Sequence, residues 1–207
     1  MSTKKRLKEP SQGKTGWEHL KSWWRGDSKA QPMKDALRSR YNPLNLGIGD
    51  MVELRTPKPE AYEVEAILCF EPEDGGGRAT RYEFKETYPT LALEILEDSG
   101  GPLYTLYELD DEFDVDHSLI KVCEQDDYLE RTKEEVRQKF NKDIEQRARV
   151  LVVDRTHTER IDMYGFYYSS DDGQRFVTVE VWPDSEWMRI YVGRNLRTTE
   201  VKALGTR

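Results

Sequence analysis

From Tyr41-Asn42-Pro43 onward apolar and polar residues alternate with a period of two, the mark of strands with one buried face. Residues 50–55, after the turn Gly47-Ile48-Gly49, predict a first strand, and 61–70 a second. The second alternates early and then becomes wholly apolar, so its end should run into the core. The acidic, glycine-rich stretch 71–77 then turns the chain into 80–85, a hairpin partner. Residues 91–97 and 103–107 form another hairpin across Asp98-Ser99-Gly100-Gly101, and 113–123 supply one more short strand. Further strands are expected at 148–154, 160–168, 176–182, 187–192 and 199–204, with turns at 169–173 and 183–186. At 176–182 the valines Val177, Val179 and Val181 oppose Phe176, Thr178, Glu180 and Trp182, and the valine face is assigned to the core.

One stretch has helical spacing. Over 127–144, Leu129, Val136, Phe140 and Ile144 keep one face apolar, Asp126 or Asp127 can cap the start, and Glu135 and Lys139 stand at i,i+4. The expected fold class is therefore α+β: a mainly antiparallel β sheet, bent or closing into a partly open barrel, with one principal helix and a basic N-terminal arm. The two β-rich stretches, 46–125 and 146–205, echo each other. Cys69-Phe70, an acid and glycine turn and Arg81 are matched by Gly165-Phe166-Tyr167-Tyr168, Asp171-Asp172-Gly173 and Arg175. Two β subdomains joined by the helix at 127–144, or one domain with unrelated hairpins, both account for this.

Charge divides the chain. Residues 1–45 hold eleven Lys/Arg against four Asp/Glu, a balance of +7; the remainder holds twenty-one against thirty-six, a balance of −15, and the two sum to the formal −8. A basic arm thus joins an acidic body at 46–205. Residues 1–16 have too little apolar content to offset the entropy of ordering and are expected to be a disordered tail. Next, Trp17, Leu20 and Trp24 fall on one face of a short amphipathic helix, with Trp23 beside them and Lys21 and Arg25 on other sides. A second such segment opens at Pro32 and aligns Met33, Ala36 and Leu37. A helix this short must bury its apolar face on something. The body, a protein partner and an anionic membrane surface, to which indoles and basic groups both suit it, are the options. Nucleic acid is disfavoured by the charge of the body.

No stretch approaches the roughly 18 apolar residues of a membrane-spanning helix, and no apolar run follows the N-terminal charges, so a cytoplasmic chain is expected, in peripheral contact with the inner membrane if the arm binds lipid. Cys69 and Cys123 both lie in apolar segments and are expected as reduced core thiols.

Candidate chemistry is sparse. Gly13-Lys14-Thr15 ends like a phosphate loop, but Lys8 stands where its first glycine belongs. His19, His117 and His157 have no metal-binding spacing, so neither a cofactor nor a metal is expected. The strongest signal in the body is residues 108–127, with nine acids and only Lys121 as a counter-charge. A calcium loop is excluded by Val115 and Lys121 at its glycine and bidentate glutamate positions. On a strand, Asp110, Glu112, Asp114 and Asp116 would share a face opposite Phe113 and Val115. That face would be a solvated edge, a contact for a basic partner or for the arm, or a weak divalent-cation site.

The order of Trp23-Trp24, Leu46-Gly47-Ile48-Gly49-Asp50-Met51-Val52-Glu53-Leu54, Tyr62-Glu63-Val64 and Arg81-Tyr82-Glu83-Phe84 resembles bacterial β-domain proteins often encoded beside homologues of phage shock protein A. The resemblance spans roughly residues 17–125 and implies a non-enzymatic accessory of a membrane-stress or membrane-remodelling system. The expected function is a cytoplasmic binding or adaptor protein; the alternative is a metal-dependent hydrolytic enzyme using the acidic face at 110–116.

Overall fold

The computed structural model describes residues 37, 40–55, 57–133 and 136–205. Eleven strands follow in order: β1 (Met51–Arg55), β2 (Pro59–Pro72), β3 (Ala79–Phe84), β4 (Leu91–Leu96), β5 (Leu103–Asp114), β6 (Tyr128–Lys133), β7 (Val136–Asp154), β8 (Thr158–Ser170), β9 (Arg175–Trp182), β10 (Trp187–Leu196) and β11 (Val201–Gly205). The helix α1 (His117–Gln125) stands between β5 and β6. The sheet is antiparallel throughout its pairings, and α1 is the one principal helix among the described residues. Eight strands run in the order β2-β3-β4-β5-β10-β9-β8-β7, and β7 pairs back onto β2, so the ladders form a closed ring. β1 with β11, and β6, extend from it as flaps.

Along one edge, each of the long strands β2 and β7 serves two neighbours, with β3 or β8 on the other edge. The first part of β2 pairs with β1 and its last part with β7; the first part of β7 pairs with β6 and its last part with β2. Between the parts each strand has a bulge, with Glu65 the extra residue in β2 and Asp143 in β7. One extra residue exchanges the two faces of a strand. Tyr62 and Val64 therefore share an apolar cluster with Ile67 and Cys69, while Ala66, Leu68 and Phe70 join a different one inside the ring.

The bulges are equivalent points of a repeat. β1–β5 and β6–β10 have the same order and the same pairings, and following the ladders outward from Glu65 and Asp143 matches the halves residue by residue. Val52 corresponds to Leu129, Tyr62 to Phe140, Tyr82 to Phe166, Phe84 to Tyr168, Leu93 to Val179 and Ile95 to Val181. The first member of each pair lies in one outer core and the second in the other. Leu37, Tyr41 and Leu44 cover the first outer core, and Leu119, Ile120 and Cys123 of α1 cover the second. The body thus takes in residues upstream of position 46, and the echo seen in the sequence was one strand out of step: β2–β3 matches β7–β8, not β8–β9.

The helix expected at 127–144 is instead the β6–β7 hairpin and its continuation. A spacing of four is even and so suits a strand as well as a helix, and here the bulge at Asp143 puts Ile144 on the face opposite Phe140. The hairpin pairs Leu129 with Phe140 and Glu130 with Lys139, and the Lys139 ammonium lies 4.4 Å from the Tyr128 ring centroid. The strand expected at 113–123 is also corrected. β5 runs on to Asp114, and Asp116 then caps α1 by accepting from the amides of Ser118 (2.8 Å) and Leu119 (3.3 Å). Cys123 is consequently a buried helical residue, while Cys69 is in β2 as expected; both are free thiols.

Candidate functional site

Charged side chains line the interior of the ring. β3 and β9 are not neighbours in any ladder, yet Arg81 of β3 donates from Nη2 to Glu180 Oε1 across 2.6 Å. That contact defines the inner face. Arg81 also donates to Glu94 Oε2 from Nε (3.0 Å) and Nη2 (2.7 Å), Glu94 being its direct cross-strand neighbour on β4. Its guanidinium carbon lies 4.6 Å from the Tyr191 ring centroid, 5.0 Å from Phe70 and 5.3 Å from Tyr107. Cation–π attraction of this kind strengthens when water is excluded, and Arg81 has no exposed surface.

Arg81 lies between repeat-related partners. The register Arg81↔Glu94 corresponds to Gly165↔Glu180, and Ala92↔Tyr107 to Thr178↔Tyr191. Glu94 and Glu180 are therefore equivalent positions, as are Tyr107 and Tyr191. The equivalent of Arg81 itself is Gly165. A Cβ there would meet the Tyr167 ring at 2.8 Å, so glycine leaves the room that this ring fills.

A second ion cluster adjoins the first. Arg189 of β10 donates from Nε to Glu112 Oε2 (2.7 Å), and its Nη1 lies 3.5 Å from the Tyr191 hydroxyl and 3.7 Å from Glu83 Oε1. Trp182 Nε1 donates to Glu180 Oε2 at 3.3 Å. Four carboxylates thus share the interior with two guanidiniums. Burial works against the charge of Arg81, but Glu180 and Glu94 outweigh it and raise its pKa; Arg189 is raised against burial by Tyr191, Glu83 and Glu112. Burial also pushes Glu83 and Glu94 up, partly offset by Arg189 and Arg81 respectively, and pushes up the tyrosines Tyr107, Tyr167 and Tyr191. Within these two clusters the buried Arg81 Nη1 and Glu83 Oε1 have no hydrogen-bond partner.

The acids singled out in the sequence are brought to different places. Asp110 pairs with Arg131, Glu112 enters the interior to meet Arg189, and Asp116 caps α1, which together with Ser118 holds its carboxyl below the usual range. Asp114 is exposed at the end of β5. The bulge at Asp110, opposite the step from Ile190 to Tyr191, breaks the alternation that would have aligned them. Among the described residues no three His, Cys, Asp or Glu side chains converge in a way that would hold a metal ion. Trp17, Leu20, Lys21, Trp23, Trp24 and Arg25 lie outside the described residues. Sequence reasoning missed Arg81, Glu83, Glu94, Glu180 and Arg189. Their signal was charge inside strands whose neighbours on both sides are apolar, as in Val179-Glu180-Val181 and Leu93-Glu94-Ile95.

No family model, no curated protein and no solved structure matches this chain. Among the described residues no helix is long and apolar enough to cross a membrane.

Proposed function

We propose that this chain is a non-enzymatic binding or adaptor protein, an accessory of a membrane-stress or membrane-remodelling system in the bacterial cytoplasm, built on a closed β-barrel and reaching a membrane or protein partner through its basic arm. The observation that carries the reading is that both buried guanidiniums are paired with carboxylates of the chain itself. Arg81 is held between Glu94 and Glu180, and Arg189 between Glu112 and Glu83, so the two arginines hold the ring together. The buried thiols fit the same picture: burial raises Cys69 to about 11, away from the thiolate that nucleophilic chemistry uses. The arm supplies what the body lacks, three tryptophans beside basic residues. The test is sedimentation of the full chain with vesicles containing phosphatidylglycerol, at low and physiological salt. Trp17→Ala with Trp24→Ala should abolish capture and leave the melting temperature nearly unchanged. Capture that survives the double substitution, or a large fall in stability, overturns the role given to the arm.

A further inference from the structure

The two ends of the ring are equivalent in the repeat but finished differently. At one end the inward-facing pair is Trp182↔Trp187, joined by Ala66 of β2; Trp182 is 5% exposed and Ala66 fully buried. Their equivalents at the other end are Leu96↔Leu103 and Ile144, which are 38%, 51% and 43% exposed. Ile144 is paired with Tyr167, whose ring lies over Gly165, and so faces inward as the leucines do. Three of the large exposed apolar side chains thus stand at one mouth, while buried Trp182 and half-buried Trp187 stand at the other. Below the leucines, inward-facing Thr105, Phe176 and Tyr167 are only partly buried, and the Glu94 side chain keeps 12% of its surface. Beyond them Arg81, Tyr107 and Tyr191 are buried.

We propose that this mouth is a binding site for a small amphiphilic amine, with its ammonium group at Glu94 and its apolar tail along Leu96, Leu103 and Ile144. This rests on the chain being a binding protein, but uses different residues from the arm. Charge selects a cation: the interior holds four carboxylates against two guanidiniums, and Glu94, the carboxylate next to Leu96 on β4, keeps 12% of its side-chain surface, as Glu112 does towards the other end. Tyr167 and Tyr107 present aromatic surface to the same space, which favours a cation further. Arg81 Nη1, fully buried and with no acceptor, supplies a donor that a hydroxyl or carbonyl on the ligand would satisfy. The exposed leucines fit the rest, since an alkyl chain covering them gains about 25 cal/mol for each Å² of apolar surface removed from water.

The test is calorimetric titration of the full chain with n-octylammonium and, separately, n-octanoate, both below their micellar range. Octylammonium should bind at least about tenfold more tightly than octanoate, a difference of about 1.4 kcal/mol. Leu96→Trp with Leu103→Trp copies the closed end onto the open one and should abolish octylammonium binding without lowering the melting temperature. If the double variant does not fold, Ile144→Trp plugs the opposite wall and should have the same effect. Equal affinity for the two probes overturns the choice of a cation, and binding that survives the plug overturns the location. No binding of either overturns the site and leaves the vesicle result standing, so the two proposals fail separately.

Discussion

Tyr107 lies across Gly193. The two are direct partners in the β5–β10 ladder, and a Cβ at Gly193 would come within 2.5 Å of the Tyr107 ring. The glycine is a seat for the ring that in turn stacks on Arg81, so the absence of a side chain on one strand positions a charge carried by another. Gly193→Ala should displace Tyr107 and lower the melting temperature clearly. Tyr107→Leu in the Gly193→Ala background should restore part of it. Thermal unfolding of the two variants checks this, and an additive loss would show that the ring is not what the glycine accommodates.

Arg81→Met leaves Glu94 and Glu180 buried without their counter-charge. Removing one member of a buried ion cluster costs about 3–5 kcal/mol. Adding Glu94→Gln and Glu180→Gln should recover much of this loss, because the remaining groups are then uncharged. Urea denaturation of the single and triple variants measures the coupling; a triple variant less stable than the single one would contradict the account.

Glu83 and Glu94 have folded pKa values raised above the ordinary 4.5, chiefly by burial. The folded state binds these protons more tightly than the unfolded chain does. Their contribution to stability is therefore fully present below pH 4.5 and is lost as pH rises through the folded values. Glu83→Gln removes one such group, so the stability of the wild type relative to this variant should decline as pH rises from 4.5 towards neutrality. Melting temperatures across that range test the sign, and a relative stability that climbs with pH would show that Arg189 outweighs burial.

Thr178 is 1% exposed and faces the ring interior, within 3.4 Å of the Tyr107 hydroxyl. Thr178→Lys should therefore be as damaging as Val179→Asp, on the other face of β9, where Val179 is also 1% exposed. Leu103→Lys, by contrast, should be mild. Circular dichroism of the three proteins separates these outcomes.

Strand positions were largely legible in the sequence because alternation is a local signal, and β2, β3, β4, β8, β9 and β10 fall close to where it predicts them. The use of the two faces was not legible. Alternation assigns Val177, Val179 and Val181 to a core and Thr178 and Glu180 to water, but a ring with a covered outer wall buries both sets. Which polar residues lie inside depends on closure between β2 and β7, far apart in sequence, and no local pattern encodes that. The hairpin at 128–141 was hidden by apolar spacing that suits helix and strand alike, and α1 by an acidic stretch in which Asp116 is a cap and not part of a charged face.

The glycine at position 165 decides how the halves of the molecule depend on each other. A backbone repeated about a two-fold relation offers every central position twice, and here only one of the two is filled with charge. A chain assembled from two copies of the first half would drive two guanidiniums into space for one. A chain assembled from two copies of the second would set two Glu180-like carboxylates facing each other with no Arg81 between them. The halves have thus become complements that are no longer interchangeable, and the ring closes in only one combination.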